Sequence, residues 1–356
     1  MGENPSTPSP SDALRVGVVG VGSFGRNHAR VYRDLQSEPS QNVKLIGVVD
    51  SDFALAQAAA REFGTSAFRS IDELVQAGVQ AASVAVPTAA HLDVARQLME
   101  KGIDLLIEKP LSSTLAEADE MIGLAERYGC IAQVGHLERF NPAVRATLPL
   151  LTQPMFFEVH RLSVFTPRSL DVDVVLDLMI HDIDIVLTFA KSAVKEIRAV
   201  GLPILSQKTD IANVRMEFES GCVANFTASR VSSERVRKLR FFQPHQYVSV
   251  DYSRQDVLVL TIGNLTPDSE EPDPFNPASA AASALPGITP FKPAVESQEP
   301  LRAELISFLR AVRERSTPEV TLEDGRRALA VATQVVEAIA EHSRRVHLPE
   351  LTRAES

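Results

Sequence analysis

Apolar positions change their period along this chain. Up to about residue 135, short β-branched runs alternate with segments whose apolar residues recur every three to four positions. The runs 14–19, 43–49, 81–86, 104–107 and 131–135 read as buried strands. Helical spacing marks the stretch from Gly25 toward Leu35 and then residues 54–63, 71–77, 91–101 and 114–128. Strands alternating with helices predict a parallel, doubly wound sheet. Beyond Pro142 the pattern shifts to strands: 155–165, 194–205, 211–218, 222–229, 237–242, 247–251 and 256–262, several joined by turn-length links such as Glu219-Ser220-Gly221. Residues 174–189 interrupt them with a helical period free of Gly and Pro. Residues 301–314 and 322–341 are amphipathic helices, the second lining Leu329, Ala332, Val336 and Ile339 along one face.

The expected architecture is therefore an α/β N-terminal Rossmann domain over residues 13–142 and an α+β domain with an open, mainly antiparallel sheet over 143–345, the two late helices packing back. Residues 1–12 and 346–356 read as tails, the first disordered. Gly2 and Ser6 match a myristoylation pattern only as a chance feature of that polar tail. The Pro-, Ala- and Ser-rich stretch 264–300 reads as a long surface loop, disordered in preference to a lid.

Composition narrows the function. A net charge of −10 without a long basic run argues against nucleic acid and anionic membrane as partners. Two cysteines, Cys130 and Cys222, make no disulfide framework and no metal-ligand spacing. Neither a secretory signal pattern nor a membrane-length apolar run is present, so a cytoplasmic protein is expected.

The chemistry-bearing residues fall where a doubly wound sheet would use them. Gly20-Val21-Gly22-Ser23-Phe24-Gly25 is a G-x-G-x-x-G between a strand and a helix, the arrangement that brings a pyrophosphate onto a helix N-terminus. Asp50 closes the next strand and suits an adenosine ribose, favouring NAD over NADP. Pro87, Thr88, His91, Glu108, Lys109 and His136 follow later strand ends, where ligands of such sheets bind. In the second domain Asp177, His181 and Asp184 stand at i, i+4 and i+7, a spacing that puts a histidine between carboxylates on one helix face. Read alone, that trio is equally a structural histidine with solvated aspartates. Arg139 suits a diphosphate or a sugar, Asn141-Pro142 makes a turn, and Arg161 is a candidate substrate contact. A metal site built from His181 and its aspartates is not expected, since hydride transfer to NAD requires none.

Together, GVGSFG, the PTAAH of residues 87–91, the EKP of 108–110 and the D-x-x-x-H-x-x-D of Asp177, His181 and Asp184 resemble the Gfo/Idh/MocA oxidoreductases from about Leu14 to His342. The resemblance implies an NAD(P)-binding domain, a second domain on an open antiparallel sheet, sugar or cyclitol substrates, and a homodimer or homotetramer. It implies that Lys109 reaches cofactor and substrate, and that Asp177 and His181 serve as an acid–base pair. The usual glycine-rich approach to the aspartate is replaced here by residues 171–176, DVDVVL. A narrower resemblance, in residues 135–142 and 178–184, is to the branch that oxidises C3 of UDP-N-acetylglucosamine. Three readings stay open: a sugar-nucleotide 3-dehydrogenase, a dehydrogenase of a free sugar or cyclitol, and a non-catalytic NAD-binding sensor. Whether His181 or Lys109 is the base stays open too.

Overall fold

A computed structural model of the chain describes residues 13–165, 172–263 and 287–346. The readings given to residues 1–12, Asp171, 264–286 and 347–356 lie outside the described residues. The chain divides into two compact units, Met1–His136 with Leu301–Arg326, and Leu137–Pro300 with Arg327–Ser356.

The first unit is a six-stranded parallel sheet in the order β3-β2-β1-β4-β5-β6. Its strands are β1 (Leu14–Val19), β2 (Val43–Val49), β3 (Ser66–Phe68), β4 (Ala81–Val84), β5 (Asp104–Glu108) and β6 (Ala132–Gly135). The helices between them are α1 (Ser23–Gln36), α2 (Phe53–Phe63), α3 (Ile71–Gln76), α4 (His91–Met99) and α5 (Leu115–Tyr128). Local chemistry sets their ends. Asp52 caps α2 by accepting from the Ala54 N–H, and Thr114 with Glu117 forms a reciprocal capping box on α5. The three-residue β3 escapes the sequence pattern because so short an edge strand carries no period of its own.

The expected boundary is residue 142, with the two late helices counted in the second domain and packing back against its sheet or the nucleotide domain. The structure sets the boundary at His136/Leu137 and places Leu301–Arg326 in the first unit. The reason is burial: α8 (Pro300–Glu314) sinks Leu305, Phe308, Leu309 and Val312 into the core formed by β1, α1 and α2. Each such side chain contributes about 1.5–3 kcal/mol when fully buried.

The second unit opens with a 3-10 turn, Leu137–Phe140, and α6 (Pro142–Thr147), capped by Asn141. Its sheet has eight strands in the order β14-β13-β12-β11-β7-β10-β9-β8. These are β7 (Phe156–Val164), β8 (Val194–Leu202), β9 (Ile211–Phe218), β10 (Val223–Ser232), β11 (Val236–Gln243), β12 (Gln246–Asp251), β13 (Asp256–Ile262) and β14 (Ile288–Phe291). Among the described residues of this unit only β7 and β10 pair in parallel. Strand β14 lies inside the stretch read as structureless loop; it pairs with β13 in spite of Pro290, which an edge strand tolerates. Phe157 and Val159, Val214 and Met216, Phe226 and Leu239 alternate onto the buried face, against α7 (Ile180–Ala190) and the later turns of α9 (Leu322–Arg345). The opposite face carries Phe156, Phe242 and Tyr247 in cross-strand register, their ring centroids 5.6 and 5.1 Å apart.

Candidate active site

In the first unit the chain turns sharply at Gly20, whose φ of 86° favours glycine. A Cβ on Gly25 would collide with the Gly20 carbonyl oxygen, so α1 begins directly against the turn. Gly22 differs from both: a Cβ there meets nothing within 4 Å. It is also the N-cap of α1, makes no side-chain cap, and no acidic residue follows in the first turn. Exposed helix N–H groups beside open space, reachable by a group with no Cβ in its way, fit a dinucleotide pyrophosphate. Ser23 and Phe24 stand exposed at the mouth of the turn. The Asp50 carboxylate accepts from the backbone N–H of Val21 at 2.7 Å and of Asp52 at 2.9 Å, which fixes it beside the turn.

Other strand-end residues divide by role. Pro87 and Thr88 lie in a short 3-10 turn after β4. His91 is buried, its ring nitrogens 3.1 and 3.0 Å from the carbonyls of Leu111 and Val86. Burial pushes its pKa below the ordinary value, and the ring holds two loops together instead of facing solvent. Glu108, Lys109 and a cis Lys109–Pro110 peptide end β5. Glu108 turns inward, where His28 Nε2 meets its carboxylate at 2.8 Å. His28 Nδ1 lies 3.0 Å from Ser83 Oγ, and Ser83 lies 2.9 Å from the Tyr32 hydroxyl. Burial works against a charged Glu108, yet His28 and the Lys109 charge hold its pKa below the usual carboxylate range. His28 stands outside the strand-end residues that the sequence marks. Its signal was the 28, 32, 35 spacing, which sets a polar ring on the buried face of α1.

In the second unit the segment 174–189, read as one α-helix, starts with a π-helical turn over Val175–Met179 before α7. Such turns occur mostly as single insertions in helices, frequently at functional sites. The π turn carries Asp177, which with His181 stays partly exposed. Asp184 does not share their exposure. Its two oxygens accept from Nε and Nη2 of Arg139 at 2.6 and 2.7 Å. Asp182 is gripped likewise by buried Arg161, at 2.7 and 2.9 Å, and the third Arg161 nitrogen reaches Glu138 at 3.0 Å. Burial disfavours the Arg161 charge, but the two carboxylates more than offset it and raise its pKa. Asn141 is buried and donates to Glu138 and to the Tyr252 carbonyl, both at 3.1 Å. Of the residues expected to meet substrate, Arg139 and Arg161 bind Asp184 and Asp182 of α7, and Asn141 binds Glu138 and the Tyr252 carbonyl. Spacing alone could not reveal this for the two arginines, because their acidic partners lie 21 to 45 residues away. His136 is buried at the end of the first unit. Among the described residues no group of His, Cys, Asp and Glu is arranged to hold a metal ion, and no helix is long and apolar enough to cross a membrane.

A dinucleotide-binding Rossmann unit with a phosphate turn, and a second unit mounting a His–Asp helix on an eight-stranded sheet, define a two-domain oxidoreductase. Residues 14–136 match the family model described as "Oxidoreductase family, NAD-binding Rossmann fold", and residues 154–243 match that of the GFO/IDH/MocA C-terminal domain. UDP-N-acetylglucosamine 3-dehydrogenase of Acidithiobacillus ferrooxidans is 34% identical over 92% of this chain and 97% of its own. A solved structure of that enzyme superposes with a TM-score of 0.82, covering 92% and 98% of the two chains. The scyllo-inositol 2-dehydrogenase (NAD(+)) of Bacillus subtilis is 27% identical over 62% of this chain and 68% of its own. Myo-inositol 2-dehydrogenase of Lactobacillus plantarum shares the fold, with a TM-score of 0.73 at 19% identity, covering 93% and 97%. The chain belongs to the Gfo/Idh/MocA family of oxidoreductases.

Proposed function

We propose that this enzyme oxidises the C3 hydroxyl of UDP-N-acetylglucosamine to a ketone, with NAD as acceptor. The observation that carries the substrate is the 34% identity to a UDP-N-acetylglucosamine 3-dehydrogenase across both units, where the inositol dehydrogenase covers less of either chain. NAD is favoured over NADP because the fixed Asp50 carboxylate suits a ribose 2′-hydroxyl and repels a 2′-phosphate. The nicotinamide supplies the hydride acceptor. His181 takes the hydroxyl proton, Asp177 orients the imidazole and stabilises the imidazolium so formed, and Lys109 donates to the developing alkoxide. Pairing as a homodimer or homotetramer through the open sheet face is supported by the outward Phe156–Phe242–Tyr247 row.

A second reading, oxidation of a free sugar or cyclitol, draws on one observation: Arg139 and Arg161, which a diphosphate would attract, are already committed to Asp184 and Asp182. The test is NADH formation by the pure protein with NAD and a panel of UDP-sugars, free hexoses and inositols, with a carbonyl trap to draw an unfavourable equilibrium. Turnover of UDP-N-acetylglucosamine is expected. Turnover of inositol with none of any UDP-sugar overturns the first reading in favour of the second. His181→Ala and Lys109→Ala are each expected to lose about 100-fold or more in kcat while still binding NAD; near-normal rates in either would remove the role given to that residue.

A further inference from the structure

Glu304, on α8, is fully buried, and neither carboxylate oxygen has a hydrogen-bond partner. A bare carboxylate in such a place costs several kcal/mol, so the group must neutralise or find a donor. Its surroundings supply acceptors. The Gln133 amide nitrogen lies 3.5 Å from the Glu304 backbone carbonyl, which leaves the Gln133 Oε1 as a second buried acceptor with no donor. Gln133 and Gly135 lie two apart on β6 and so point to the same face of the sheet. On that face the Glu108 side chain lies over Gly135, where a Cβ would come within 3.1 to 3.2 Å of its carboxyl group. Glu108 therefore shares this face of β6 with the side chain that meets the Glu304 backbone, and its own carboxylate is met by His28. His28 meets Glu108, and Ser83 and Tyr32 extend a hydrogen-bonded chain that links Tyr32, Ser83, His28 and Glu108 in that order. That chain ends on Glu108 and brings no proton to Glu304.

We propose that Glu304 is held as a neutral carboxylic acid that shares its proton with Glu108, and that this buried acid–carboxylate pair is a positioning element for the turn carrying Lys109. A carboxyl group buried near a charged one is driven to keep its proton, which it can then donate to the charged neighbour. Burial and the Glu108 charge raise the Glu304 pKa well above the ordinary value, while His28 and Lys109 favour an ionised Glu108. The other groups facing the pair are Tyr32, whose phenol is also pushed up, and the uncharged Ser83 and Gln133. The part concerning Lys109 rests on the catalytic role proposed for it; the protonation state of Glu304 does not.

The experiment compares the full chain with Glu304→Gln and Glu304→Ala. The infrared carbonyl band of a protonated carboxylic acid is expected in the parent and lost in Glu304→Gln. The parent keeps a proton that the unfolded chain releases above about pH 4.3, so its stability falls as pH rises, and Glu304→Gln is expected to flatten that fall. An unchanged band and an unchanged slope would overturn the neutral acid. For positioning, Glu304→Ala is expected to lose about tenfold in kcat with NAD affinity intact, and Glu304→Gln to recover most of it. Equal loss in both variants, or loss in neither, would overturn the positioning role. If Glu304→Ala does not fold, the band and the pH slope of Glu304→Gln still decide the protonation state, and a loss of about tenfold in kcat in Glu304→Gln would overturn the positioning role.

Discussion

Arg139 grips Asp184 with two parallel hydrogen bonds, at 2.6 and 2.7 Å, tying the 3-10 turn Leu137–Phe140 to α7. Asp184 is almost completely buried. Taking away one partner strands the other charge, whereas taking away both leaves an apolar contact. Arg139→Met is therefore expected to cost about 3–5 kcal/mol of unfolding free energy, and Arg139→Met with Asp184→Leu distinctly less. Urea unfolding of the two variants and the parent checks this. Similar losses in both would mean that the contact matters for shape and not for charge.

The glycines of the phosphate turn separate folding from binding. Gly25→Ala drives a methyl group into the Gly20 carbonyl and is expected to lower the melting temperature and to abolish NAD binding together. Gly22→Ala meets nothing in the protein. It is expected to leave the melting temperature within a few degrees of the parent while weakening NAD by about 100-fold, because its methyl group occupies the space left for a pyrophosphate. Calorimetric melting and NAD titration of the two variants read both quantities. Undiminished NAD affinity in Gly22→Ala would place the pyrophosphate elsewhere.

The periodic features of this fold were legible in the sequence and the long-range ones were not. Helices α1, α2, α4 and α5 each bury an apolar stripe, and β1 and β2 are short valine-rich runs, so spacing alone located them. The turn at Gly20–Gly25 and Asp50 were legible for the same reason: their chemistry is encoded within one strand–helix–strand unit. The role of Arg161 was not, because its partners Asp182 and Glu138 come from other elements and nothing in the strand 156–164 announces them. Nor was the π turn, since one extra residue in a helical turn leaves the apolar period almost unchanged. The affiliation of α8 depended on which core its apolar face entered, and an amphipathic pattern says only that there is one.

Asp50 gives the cofactor preference a direct test. Its carboxylate is fixed by two backbone N–H groups, so it holds its place with or without a ligand. Asp50→Ser removes the charge that repels a 2′-phosphate and keeps a group able to accept from the Asp52 N–H. It is expected to move the ratio of kcat/KM for NAD over NADP by at least tenfold toward NADP. Initial rates with each cofactor measure it. An unmoved ratio would mean that another group sets the preference.

The approach to the helix bearing Asp177 and His181 depends on a second buried carboxylate. Asp210 accepts from the backbone N–H groups of Ile204, Leu205 and Ser206 at 2.6 to 2.8 Å, and from the Ser206 hydroxyl at 2.8 Å. Burial alone would raise its pKa, but these hydrogen bonds prevail and hold it below the ordinary value. The carbonyl of the preceding residue, Thr209, accepts from the Val174 N–H at 3.0 Å, and Arg230 donates to that carbonyl and to the carbonyl of Val172. The loop organised by Asp210 therefore anchors the chain where it enters the π turn. With a depressed native pKa, the stabilisation is complete above the unfolded value of about 3.9 and is lost as pH falls through the native one. Asp210→Asn keeps the shape and one acceptor for the three N–H groups, but turns the oxygen that faces the Ser206 hydroxyl and the Arg230 guanidinium into a donor and removes the charge. It is expected to cost about 2–4 kcal/mol at neutral pH and to flatten the loss of stability on acidification. If the loop anchors the helix, kcat in this variant falls further than NAD affinity does. Equal losses in kcat and in NAD affinity would show that the fold was weakened as a whole and that the anchor has no share in placing His181.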